Sequence, residues 1–212
     1  MHDAVISNEL ERPAKRPDRL CLFHVASGQA GYFTAEQART CGYSRALLSH
    51  HARSGRFIRV RHGLYRLREY PSSPREHVLA AWIAVGKDVA VVSHESALDL
   101  LELSDIIPDA VHLTVPRSRR GLPSVWGVKI HTTERPIEPS ERWEREGIAI
   151  TSPARSILDA AERGAGPEQI ELAVVQAVER GLTSAGELRR AASDRSRRVA
   201  GLIDGALRKV AA

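Results

Sequence analysis

Cysteine, lysine and methionine are scarce in this 212-residue chain: two, four and one respectively, beside 27 arginines. Two cysteines, Cys21 and Cys41, do not make a disulfide framework, and with no CxxC pair or His/Cys cluster at zinc-finger spacing a small metal-stapled module is excluded. A reducing cytoplasm is the expected compartment. No run of about 18 apolar residues occurs, so an ordinary spanning helix is not expected, and no membrane association is expected either. The first twenty residues lack the apolar stretch of a secretory signal. Also missing are the GxxxxGK phosphate loop, the GxGxxG turn, the GxSxG elbow and the HExxH helix, so nucleotide binding and hydrolysis lack their usual signatures. What remains is 42% hydrophobic and 27% charged, enough to fill the core of one or two globular domains.

The net charge of +5 is unevenly placed. Residues 1–70 carry 12 Lys/Arg against 6 Asp/Glu, whereas residues 71–212 carry 19 against 20. The segment Ser44 to Arg68 holds seven arginines, three histidines and no acid. Such a field attracts a polyanion, because each neutralised phosphate releases condensed counterions.

Residues 1–18, broken by Pro13 and Pro17, read as a flexible tail. A helix is expected from Arg19 to Gln29. Thr34 and Gln37 stand at capping-box spacing and open a second helix that ends near Cys41. After Gly42, Ser44 caps a third helix stopped by Gly55. The period then changes from 3.6 to 2 over Arg56–Arg61 and Leu64–Leu67, a hairpin turning at His62-Gly63. Pairing Arg61 with Leu64, Val60 with Tyr65, Arg59 with Arg66 and Ile58 with Leu67 sorts Ile58, Val60, Tyr65 and Leu67 to one face. Arg59, Arg61 and Arg66 fall on the other.

Three helices and a basic hairpin make a winged helix-turn-helix over residues 19–70, whose third helix would enter the major groove while the wing follows phosphates. On that helix Leu47, Leu48 and Ala52 face the core, and Arg45, Ser49 and Arg53 form a stripe at i, i+4 and i+8 with His50 beside it. Arg suits guanine edges, and Ser or His suits several acceptors. Together with Arg56, Arg59, Arg61, His62 and Arg66 these are the candidate DNA-binding residues. His51, nearer the core, is expected to be structural.

Pro71-Ser-Ser-Pro74 marks a boundary, after which residues 71–212 read as an α+β domain with a helical end, and the whole chain as α+β. Helices are expected at Arg75–Val85, Ser93–Leu103, Pro153–Arg163, Pro167–Arg180 and, with an interruption, Ala185–Val210. Strands are expected at Ala110–Val115, Val128–Thr133 and Ile148–Thr151. His94, Glu95, Asp99, His112 and His131 carry possible chemistry but share no recognised ligand spacing, so the histidines are expected to be structural. No catalytic residue, cofactor or metal is expected. The basic loop Arg117–Gly121 reads as solvated.

Four motifs in order, Gly55-Arg-Phe-Ile-Arg-Val-Arg-His-Gly-Leu-Tyr-Arg66, Ser93-His-Glu-Ser-Ala-Leu98, His112-Leu-Thr-Val-Pro116 with Arg119-Arg120, and Ile150-Thr-Ser-Pro-Ala-Arg-Ser-Ile-Leu-Asp159, resemble the AbiEi family of bacterial type IV antitoxins and transcriptional regulators. The resemblance spans about residues 20 to 165. It implies a winged helix that binds double-stranded operator DNA and represses its own operon. It also implies a C-terminal domain that counters a nucleotidyltransferase-like toxin, generally without a stable complex. A stand-alone regulator whose second domain senses a ligand or dimerises is the alternative. Relatives that continue into a nuclease domain lend nothing here, since no carboxylate-lysine nuclease core is present.

Overall fold

The computed structural model describes residues 16–210. The expected tail therefore lies outside the described residues except for its last three. Of these Asp18 is already structured: its carboxylate accepts from Cys21 N and caps the first helix. The chain divides into two compact units, residues 1–71 and 72–212.

The first unit runs α1 (Arg19–Ser27), β1 (Tyr32–Thr34), α2 (Ala35–Thr40), α3 (Arg45–Arg53), β2 (Phe57–Arg61) and β3 (Leu64–Leu67). Between α1 and β1 the chain turns through Gly31 at φ +86°, where a Cβ would lie 2.5 Å from Tyr70 Cβ. Only glycine fits that turn. The capping box at α2 forms as its spacing predicts: Gln37 N donates to Thr34 Oγ1 and Thr34 N donates to Gln37 Oε1. Ser44 Oγ likewise accepts from Leu47 N at the start of α3. Leu22, Phe33, Tyr43, Leu48, Phe57 and Tyr65 build the core, with Phe33 edge-on to Phe57 at 5.0 Å and stacked near Tyr65 at 5.8 Å. Burying each large side chain contributes roughly 1.5–3 kcal/mol, which is what holds so short a set of helices in place.

Three features depart from the sequence reading. Cys21 on α1 and Cys41 at the end of α2 are joined as a disulfide, their Cα atoms 5.6 Å apart. The packing of α1 on α2 brings together two residues that spacing alone cannot pair. The second departure is β1, which makes the sheet three-stranded in the order β1-β3-β2, all antiparallel. β3 is therefore a central strand. A bulge at Val60 keeps Arg61 opposite Leu64 but shifts the remaining pairs by one, to Arg59 with Tyr65, Ile58 with Arg66 and Phe57 with Leu67.

The second unit contains α4 (Glu76–Val85), β4 (Val91–Val92), α5 (His94–Leu101), β5 (Val111–Pro116), β6 (Val128–Thr133), β7 (Arg142–Arg145), β8 (Ile148–Thr151), α6 (Pro153–Arg163), α7 (Pro167–Glu179), α8 (Ala185–Ser193) and α9 (Arg197–Val210). Its mixed sheet has the order β6-β5-β4-β8-β7. The β5–β6 and β4–β8 pairs are parallel, and β4–β5 and β7–β8 are antiparallel. Along β5 the residues alternate: Val111, Leu113 and Val115 join the apolar core, while His112 and Thr114 point to the opposite, polar face. The core is completed by Leu98, Leu100, Ile150, Ile157, Leu158, Ile170 and Val174 and by the helical end, where α7 packs on α9. Both ends of α6 are marked in sequence: Ser152 caps it with Pro153 at its first position, and Gly164 closes it at φ +93°.

Candidate nucleic-acid interface

Helix α3 buries Leu48 fully and rests Leu47 and Ala52 against the core, so its opposite stripe is committed to solvent. On that stripe Arg45, Ser49, His50 and Arg53 are all exposed. Adjoining strand β2 and its turn expose Arg56, Arg59 and His62, with an Arg59 guanidinium nitrogen 3.3 Å from His62 Nδ1. Among the described residues Arg45, Arg53, Arg56 and Arg59 have no carboxylate partner. Arg61 is half-buried. Four like charges held on short, capped elements repel one another and strengthen any anion that neutralises them.

Arg66 does not join them. Its side chain is buried, donates to Tyr70 O at 2.7 Å and lies over the Tyr32 ring at 5.7 Å. The sequence reading put it on the outward face because β1 was not anticipated. With β1 paired to β3, Tyr32 opposite Arg66, that guanidinium packs inside the unit instead. His51 rests between rings, 4.9 Å from Phe57 and 6.0 Å from Tyr43. Burial, then the Arg56 and His50 charges, push its pKa below the usual histidine value.

In the second unit most cations are engaged. Arg155 is buried, binds Asp159 Oδ2 at 2.8 Å and approaches Glu141 Oε2 at 3.3 Å, while Arg195 takes the other Asp159 oxygen at 2.7 Å. Burial alone would lower the Arg155 pKa, but Asp159 and then Glu141 raise it above its ordinary value. The Thr-Ser-Pro-Ala-Arg-Ser motif thus encodes a cap and a buried ion network. In the basic loop Arg117 pairs with Glu134, and Arg119 and Arg120 are exposed.

The histidines of this unit correct the reading that nothing converges. His94, His112 and His131 place one ring nitrogen each within 4.8 Å of the others. The parallel β5–β6 register sets His131 beside Thr114, so His131 and His112 lie diagonally on one sheet face, and the N-terminal residue of α5 covers them. No linear spacing announces such a set. Burial, followed by the neighbouring His131 and His112 charges, lowers the His94 pKa to about 2. Burial, followed by His112, lowers His131 to about 4, so both rings are neutral at neutral pH.

A capped helix, a four-residue turn, a second capped helix with an exposed cationic stripe and a basic hairpin make a helix-turn-helix arrangement. Residues 22–68 match the family model described as transcriptional regulator, AbiEi antitoxin. No curated protein matches the chain in sequence. Among solved structures it is similar to the RV2827C protein from Mycobacterium tuberculosis, with a TM-score of 0.59 and 19% identity over 91% of this chain and 79% of that one. At that identity the likeness is one of fold.

Among the described residues no helix is long and apolar enough to cross a membrane.

Proposed function

We propose that the first unit is a winged helix that binds the operator of its own operon. Helix α3 would lie in the major groove, with Arg45, Ser49, His50 and Arg53 at base edges and phosphates, and the β2–β3 wing would follow the backbone through Arg56, Arg59, Arg61 and His62. The observation that carries this reading is the set of four exposed arginines, Arg45, Arg53, Arg56 and Arg59, without carboxylate partners among the described residues, in a 25-residue segment that contains no acid. The family match over the same elements supports it.

The second unit, in this proposal, counters a nucleotidyltransferase-like toxin without holding it in a stable complex, as the motifs from Ser93 to Asp159 imply by resemblance. The protein acts as a regulator and not as an enzyme. Binding of the full chain to its own upstream region, compared with scrambled DNA of equal length at two salt concentrations, tests the first half. The expected result is a sequence-dependent advantage that survives the higher salt; equal, salt-sensitive binding to both contradicts operator recognition. Coexpression with a toxin encoded next to it tests the second. Growth rescue that persists in an Arg45→Ala/Arg53→Ala variant is the expected result, because the two units carry separate roles.

A further inference from the structure

The polar face of the second sheet holds a cluster to which the DNA-binding reading gives no role. His112 Nδ1 lies 3.3 Å from His131 Nε2, and His94 stacks on His131 with ring centroids 3.8 Å apart, so one of those two rings must turn before both present an in-plane lone pair to one ion. Two nitrogens held by one tetrahedral zinc ion with Zn–N bonds of about 2.0–2.1 Å are about 3.3 Å apart, so the His112–His131 pair already has that spacing. All the ligand nitrogens of the set lie within 4.8 Å of one another, so a closure of at most about 1.5 Å reaches that spacing.

A carboxylate stands at the same point. Glu95 Oε2 is buried 2.7 Å from His112 Nδ1, a distance fit for an ion pair, yet it has no hydrogen bond of normal geometry. An acceptor left in that condition is costly unless something else neutralises it. The outer contacts are those that orient metal-binding imidazoles. Ser93 Oγ lies 2.8 Å from His94 Nδ1 and accepts from Thr114 Oγ1, leaving His94 Nε2 toward the cluster. Asp109, held by Lys129 through both carboxylate oxygens, stands 4.0 Å from His112 Nε2, beyond hydrogen-bond distance. His94 is also one of few non-glycine residues at positive φ, +54°, a conformation that persists only where its surroundings enforce it. His94 and His131 line an open cavity of about 380 Å³, which gives an ion a path in.

We propose that His94, His112, His131 and Glu95 bind one zinc-class divalent cation, three imidazole nitrogens and one carboxylate tying the start of α5 to β5 and β6. A nitrogen-rich set of this kind selects zinc and its first-row neighbours over calcium or magnesium. The site stands independently of the DNA-binding reading.

The test uses the full, tag-free chain stripped with chelator and titrated with Zn²⁺ by calorimetry and with Co²⁺ by visible absorption. One equivalent per chain and the intense d–d bands of a four-coordinate Co²⁺ site are expected. Loss of the equivalent is expected in His112→Ala and His131→Ala, with affinity about 10–100-fold weaker in Glu95→Gln. Melting in chelator shows whether each variant folds. A measurement on the unaltered chain avoids that question: diethylpyrocarbonate labelling should be blocked by Zn²⁺ at His131 while the exposed His24, His50 and His62 remain reactive. Absence of a bound equivalent, weak six-coordinate Co²⁺ bands, or Zn²⁺ protection at the first-unit histidines with His131 still labelled would each overturn the assignment.

Discussion

Arginine serves the two units in opposite ways. In the first, Arg45, Arg53, Arg56 and Arg59 stand exposed without a carboxylate among the described residues. In the second, Arg75 reaches Glu146, Arg155 and Arg195 share Asp159, Arg189 faces Asp204, and Arg180 and Arg198 donate to the backbone carbonyls of Leu101 and Ala161. Composition treats these residues alike; what separates them is whether acids lie within reach. An arginine that completes a neighbour's charge supports its own fold, whereas one left uncompensated on a rigid element is available to an external anion.

The largest expected effect breaks the comparison on its structural side. Asp159→Ala leaves two guanidinium groups, one of them buried, short of their anion, and removing one partner of a buried pair costs about 3–5 kcal/mol. Urea unfolding of the full chain should show that loss, and a change below about 1 kcal/mol, the scale of a surface pair, would mean the network is not structural. Reduction of Cys21–Cys41, or Cys21→Ala with Cys41→Ala, should cost about 3 kcal/mol by releasing a loop of 20 residues in the unfolded chain. Thermal melts with and without reductant check this.

On the functional side, Arg45→Ala should cost roughly 1–3 kcal/mol of operator binding at one base position, measured with single-base operator variants. Arg66→Lys sharpens the contrast. It keeps the charge but loses the planar fork that donates to Tyr70 O while lying over the Tyr32 ring, so it should lower stability while leaving the salt dependence of binding unchanged. The smallest effect belongs to an exposed pair of the second unit: Glu171→Ala, which frees Lys209, should change unfolding by about 0.2–1 kcal/mol at most.

Local signals carried much of this fold into view from sequence. Thr34 with Gln37, Ser44, Ser152 with Pro153 and Gly164 bound helices by satisfying backbone groups a few residues away, and the alternation of Val111 to Val115 marks a strand by period. What escaped was long-range or locally disguised. β1 is three residues long and exists because β3 pairs with it. The Val60 bulge adds one residue that no alternation can count. β7 is exposed throughout with three charged residues around Trp143, and its turn, Glu146-Gly147, has both residues at positive φ, as a tight hairpin demands, without an Asn-Gly or Asp-Gly signature. The candidate interface was legible because exposure and charge on α3 follow from helical spacing. Arg66 was misplaced by the missing strand, and the His94, His112 and His131 set was invisible because three separate elements assemble it.

The central claim is that placement, not net charge, makes the first unit a DNA surface. The direct test is the slope of log affinity against log salt for operator DNA in two triple variants of equal charge change. One is Arg53→Ala/Arg56→Ala/Arg59→Ala, and the other is Arg117→Ala/Arg189→Ala/Lys209→Ala in the second unit. With about 0.9 counterions released per phosphate contact, the first should flatten the slope by about 2.7 while the second leaves it as in the parent chain. Equal flattening in both would contradict the account and reduce the binding to overall charge.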